Sequence, residues 1–129
     1  MNTKTLLATA LFALLAAGVQ AQPVMKDGVL ADAAGRTVYI FDKDEANKSN
    51  CAGGCLAMWP AFVAKPGATA KGDFGLLEVN GASQWTLKGK PLYYYIEDTK
   101  AGERKGDGKG GVWHIVSQGG LPSAPAAKY

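Results

Sequence analysis

Cys51 and Cys55 are the two cysteines of the chain, four residues apart in Cys51-Ala-Gly-Gly-Cys55. In an oxidising compartment such a pair closes a disulfide, and the intervening glycines give the backbone the freedom that a tight loop demands. The alternative chemistry is metal binding. Reduced Cys51 and Cys55, joined by Met58 or His114, offer soft S/N donors suited to Cu(I). The spacing is neither the C-x-x-C of disulfide oxidoreductases nor the C-x-x-C-H of haem attachment. His114 is the single histidine, which makes a conventional zinc site difficult; its bland role is a strand-face side chain with one hydrogen-bond partner. No nucleophile, base and orienting group can be read as a catalytic set. Gly106-x-Gly108-x-x-Gly111 matches the dinucleotide fingerprint in letters alone. It sits in a polar loop before a strand, where the fingerprint needs a strand behind it and a helix ahead.

A second set of residues is aromatic and acidic, and it occurs twice. Gly35-Arg-Thr-Val-Tyr-Ile-Phe-Asp-Lys-Asp44 is echoed by Gly89-Lys-Pro-Leu-Tyr-Tyr-Tyr-Ile-Glu-Asp98, an offset of 54 residues. At the same offset Trp59 falls opposite Trp113 and Phe62 opposite Val116. The recurring unit is Tyr-x-aromatic-x-x-Asp: Tyr39, Phe41 and Asp44, then Tyr93, Tyr95 and Asp98. On a strand, the Tyr and the aromatic two residues later share one face, so the rings are expected to form a layer between two halves. The Asp falls just beyond, where its carboxylate can accept backbone N–H bonds and fix the exit turn. The functional alternative is an aromatic-lined groove with an acidic rim, drawing also on Trp59 and Trp113, that binds a small ligand. A calcium loop fits poorly, since the required Gly and terminal Glu spacing is missing.

Followed by Cys51-x-x-x-Cys55-x-x-x-Trp59-Pro60, this pattern resembles the bacterial secreted-repeat family described as lipoproteins with a Tyr-x-(Phe/Trp/Tyr)-x-x-Asp motif. The resemblance runs over roughly residues 24 to 117. It implies tandem copies in an exported protein, with an undefined biochemical role. The chain lacks the lipidation cysteine of the family's name, so membrane anchoring is not carried over.

The elements that must position these residues follow from the pattern. Residues 1–21 read as a signal peptide, with Lys4, the apolar run Leu6 to Val19, and a cleavage site after Ala21. That run of 14 residues is shorter than the roughly 20 a membrane helix needs. The mature chain is then expected to be periplasmic or secreted, with no membrane span. Its remaining 13 basic and 11 acidic side chains give a balance too small for nucleic-acid binding. Residues 22–118 are expected to form one small, mainly β domain of two pseudo-symmetric halves, about 24–64 and about 74–118, with a disordered tail over 119–129. Thr37 to Phe41, apolar on both faces, should be a central strand, in a hairpin with Val29 to Asp32. Leu92 to Ile96 should be its second copy. A short helical turn is expected near the Cys pair, capped by Ser49 or Asn50 and stopped by Pro60. Lys65 to Gly72 reads as a linker and Asn80-Gly81 as a hairpin turn. Thr99 to Gly111 reads as a mobile loop, Val112 to Ser117 as a final strand.

The leading expectation is an exported, non-catalytic β-repeat protein without a cofactor, acting as a binding or cell-envelope-associated module toward an envelope protein or a small ligand. The alternative is a periplasmic copper-binding or thiol-redox protein using Cys51 and Cys55. A weaker one is an inhibitor that presents the loop 99–111 to an envelope enzyme.

Overall fold

Alternation along one short strand organises the interior. Val38, Tyr39, Ile40 and Phe41 are all buried, so both faces of the strand must be covered. Val38 and Ile40 enter a mixed core with Leu30, Leu92, Val116, Phe62 and Trp85. Tyr39 and Phe41 enter an aromatic one with Trp59, Tyr93, Tyr95 and Trp113. This division is seen in a computed structural model that describes residues 22–117. The expected signal peptide and the expected disordered tail lie outside the described residues.

The chain runs β1 (Val24–Lys26), β2 (Val29–Ala31), β3 (Tyr39–Phe41), α1 (Gly54–Met58), β4 (Phe74–Val79), β5 (Ala82–Leu87), β6 (Lys90–Pro91) and β7 (Trp113–Ile115). All strand pairs are antiparallel: β1 with β2, β3 with β7, and β4, β5 and β6 in order. The protein is mainly β, as expected. No helix among the described residues is long and apolar enough to cross a membrane.

Three hairpins close through two-residue turns. Asp27-Gly28, Asn80-Gly81 and Lys88-Gly89 have φ values of 51° and 84°, 51° and 82°, and 51° and 82°. Two successive positive φ values define the turn whose twist matches the flanking strands. The turn at Asn80-Gly81 is where the sequence placed it. Its counterpart at Asp27-Gly28 makes β1 the full partner of β2. The expected hairpin between 29–32 and 37–41 is present in short form, as an antiparallel Ala31–Thr37 bridge with bonds from Asp32 N to Arg36 O (2.9 Å) and from Val38 N to Leu30 O (3.2 Å).

The two halves exchange their last strands. β3, from the first repeat, pairs with β7, from the second, in the register Tyr39–Ile115, Ile40–His114 and Phe41–Trp113. The mirror arrangement joins the second repeat's Tyr93 to Ala61 of the first, with bonds from Tyr94 N to Pro60 O (2.7 Å) and Ile96 N to Met58 O (2.9 Å). At the centre Tyr39 and Tyr93 bond reciprocally, Tyr39 N to Tyr93 O at 2.8 Å and Tyr93 N to Tyr39 O at 3.0 Å. A pseudo-two-fold axis therefore passes between these residues. The Tyr39 and Tyr93 stretches are each completed by a segment of the other repeat.

Two local expectations are corrected. α1 is preceded by Gly53 at φ 55° and has no side-chain cap. Ser49 and Asn50 act elsewhere: the Ser49 hydroxyl bonds the Tyr93 hydroxyl, and the Asn50 N–H donates to Asp44. The loop 99–111 is tied down rather than free. Glu103 Oε1 accepts N–H bonds from Thr99 and Lys100, Asp107 Oδ1 accepts one from Ile115, and a 3-10 turn spans Lys109–Gly111.

Candidate functional site

The aromatic core is a stack that reads alike from both ends. Phe41 lies on Trp113 (centroids 4.1 Å apart), Trp113 on Trp59 (3.8 Å, 2° between planes), and Trp59 on Tyr95 (4.3 Å). Under the 54-residue offset Trp59 matches Trp113 and Phe41 matches Tyr95, so the axis crosses the middle of the stack. Tyr39 meets Trp59 edge-on at 5.3 Å, and Tyr93 meets Trp113 edge-on at 5.2 Å. Each such pair contributes about 0.5–1.5 kcal/mol beyond its buried area. Gly106 closes over the stack, where a Cβ would lie 2.6 Å from the Trp59 ring. Packing thus explains a glycine that the fingerprint reading could not place.

Each motif tyrosine is bonded to the other repeat's aspartate. Tyr39 OH donates to Asp98 Oδ2 at 2.5 Å, and Tyr93 OH donates to Asp44 Oδ2 at 2.7 Å. The second oxygen of each carboxylate holds its own exit loop. Asp44 Oδ1 accepts from Asn50 N (2.6 Å), and Asp98 Oδ1 from Lys105 N (2.8 Å). Both tyrosines are fully buried, and both aspartates nearly so. Burial drives the Tyr39 and Tyr93 hydroxyls far above the ordinary phenol range, with the adjacent carboxylates adding to it. Burial likewise raises Asp44, against the pull of its hydrogen-bond donors. The polar groups of the motif are therefore engaged across the axis.

Cys51 and Cys55 are joined in a disulfide, with Cys51 buried against the aromatic stack and Cys55 half-buried at the start of α1. His114 Nε2 lies 2.8 Å from Asp42 Oδ2 on the surface. It occupies the strand position next to Trp113, whose ring faces the stack. Strand alternation turns His114 the other way. The structure therefore does not bring it to the sulfurs.

Where the stack reaches the surface there is an open depression of about 300 Å³. It is floored by Trp59, Tyr95 and Trp113 and rimmed by Met58, Lys109, Gly110 and Val112. Met58 is 42 % exposed, and the Lys109 ammonium lies 5.7 Å from the Tyr95 ring centroid, within cation–π range.

A profile of a family described as a secreted repeat of unknown function matches residues 24–63 and again 78–117. The chain belongs to that family. Each match of this secreted repeat ends on the strand that crosses to the other half, so one sequence unit is not one spatial unit. No curated protein and no solved structure gives a significant match.

Two further cross-repeat contacts escaped the sequence reading. Arg36 lies over the Tyr94 ring at 4.1 Å, and Tyr94 OH donates to Asp32 Oδ2 at 2.8 Å. The signal was available in Tyr94, which sits on the opposite strand face from Tyr93 and Tyr95 and so belongs to the other core.

Proposed function

We propose that this secreted repeat protein is a non-catalytic binding module of the bacterial envelope or exterior, and that it engages its partner at the depression over the stack. One observation carries the reading. The floor comes from residues the repeats share, Trp59, Trp113 and Tyr95, whereas the rim comes from segments in which they differ. Met58 ends the disulfide-bonded helix of the first copy, and Lys109 and Gly110 belong to the glycine-rich loop of the second. Its volume is at the lower end of small-ligand sites, which suits one projecting side chain or a short apolar group. The acidic motif residues support a framework role, because their bonds are used within the protein.

A photo-cross-linking amino acid at Met58 or Gly110, with Val63 as an equally exposed control, tests the reading in the intact envelope. Adducts at 58 and 110 but not at 63 are expected. Equal labelling at all three positions, or none, overturns it.

A second reading, copper or thiol-redox work, is supported by the position of Met58 three residues after Cys55 on α1, a spacing that puts both on one helix face. It requires the disulfide to open, with His114 as a distant fourth candidate. Thiol titration of the exported protein with and without Cu(I) separates the two. Two free thiols and stoichiometric copper favour the metal; no thiols and no copper favour the binding module.

A further inference from the structure

The stack has a property that close packing does not require. Indole and phenol are the side chains most easily oxidised by one electron, and two parallel indoles in contact can share the resulting positive charge. Trp59 and Trp113 are such a pair at 3.8 Å, with Tyr39 and Tyr93 edge-on at 5.3 and 5.2 Å. A phenol gives up an electron readily only if its proton has somewhere to go. Here each hydroxyl already donates to a buried carboxylate, Asp98 Oδ2 at 2.5 Å and Asp44 Oδ2 at 2.7 Å. Each phenol oxygen also accepts a hydrogen bond that would stabilise the product, Tyr39 from Gly106 N–H and Tyr93 from the Ser49 hydroxyl. At one end of the stack Phe41, much harder to oxidise, stands where the other end has Tyr95. Charge is thereby confined toward the depression, where Trp59, Tyr95 and Trp113 approach solvent.

We propose that the stack is an internal one-electron relay, which accepts an oxidising equivalent at the depression and stores it on Tyr39 or Tyr93. A one-electron oxidant, such as a small inorganic or organic radical, removes an electron from the Trp59–Trp113 pair and is reduced by one electron. The indole radical cation is refilled by an electron from Tyr39 or Tyr93. In the same step the phenolic O–H bond breaks and its proton passes to Asp98 or Asp44. The products are a closed-shell indole, a neutral tyrosyl radical and a protonated carboxyl. A diffusible one-electron reductant of the ascorbate class restores the phenolate electron, and the carboxyl returns the proton. The relay does not depend on which partner occupies the depression.

Pulse radiolysis of the full protein with azidyl radicals is the test. The tryptophanyl absorption should give way to tyrosyl absorption in a first-order step, independent of protein concentration and slowed in deuterium oxide. The double variant Asp44→Asn/Asp98→Asn removes both proton acceptors and should slow that step about 100-fold, the scale of a positioned general base. Tyr39→Phe/Tyr93→Phe should abolish it. A tyrosyl signal that persists in the double Phe variant would come from Tyr94, Tyr95 or Tyr129 and overturns the proposal. So does a transfer whose rate scales with protein concentration. If those variants fail to fold, Tyr95→Phe, which copies the Phe41 end of the stack, decides: a first-order transfer with an isotope effect that persists in it supports the relay, and its loss sinks the proposal.

Discussion

Tyr39 and Asp98 are 59 residues apart and Tyr93 and Asp44 are 49 apart, yet each tyrosine has an aspartate of its own copy five positions on. Sequence spacing favours the near partner; the fold chooses the far one. Alternation was enough to place the rings in one layer, because that is a local rule. The identity of each phenol's acceptor depends on the path of a distant chain and was not legible. Two predictions belong to single residues. Burial holds the Tyr39, Tyr93 and Tyr94 phenols well above their ordinary 10.0. A raised folded-state value means their stabilisation is complete below the unfolded pKa and is lost as pH climbs through the folded one. The urea midpoint should therefore fall steadily above about pH 10, with phenolate absorbance appearing together with unfolding, and Tyr39→Phe should flatten the decline. Gly106→Ala should cost about 1–3 kcal/mol by overpacking, measured by the same urea titration, because the Trp59 ring it would meet is locked between Trp113 and Tyr95.

Among the elements, α1 shows how far a short segment depends on its staple. Five residues, no side-chain cap and a preceding glycine at positive φ give it little intrinsic stability. The disulfide closes a loop that constrains the unfolded chain by about 2 kcal/mol, and it anchors α1 to the buried Cys51. Cys51→Ser/Cys55→Ser should lower stability by about that amount. It should also increase amide exchange at Ala57 and Met58 before it does so in β5, as hydrogen exchange can resolve. The sequence indicated the helical turn and the bridge, since Cys spacing and Pro60 are local signals. It missed the β1–β2 ribbon because Asp27-Gly28 stands beside only three strand residues on either side, too few for an alternation to register. The loop 99–111 looked mobile by composition, yet Glu103 and Asp107 supply the acceptors that fix it.

For the whole molecule, repetition in the sequence foretold two similar halves but not their interlocking. An exchanged strand and a retained one have the same hydrophobic pattern, so periodicity cannot distinguish them. The consequence is cooperativity. A fragment of residues 22–64 lacks the strand that covers β3, and a fragment of 74–117 lacks the strand that covers Tyr93 to Tyr95. Each alone should show little fixed aromatic signal in near-ultraviolet circular dichroism, and equimolar mixing should restore it. Independent folding of either piece would contradict the exchange. The reciprocal bonds between Tyr39 and Tyr93 carry a further implication, for inheritance. Two identical chains meeting across a true axis can make the same bonds, so a single-copy ancestor could assemble as a homodimer. In such a dimer every mutation strikes both sides at once. Joining the copies through residues 65–73 frees each side to change alone, which is how one copy can gain a disulfide and the other a rim lysine while the two tryptophans of the floor stay matched.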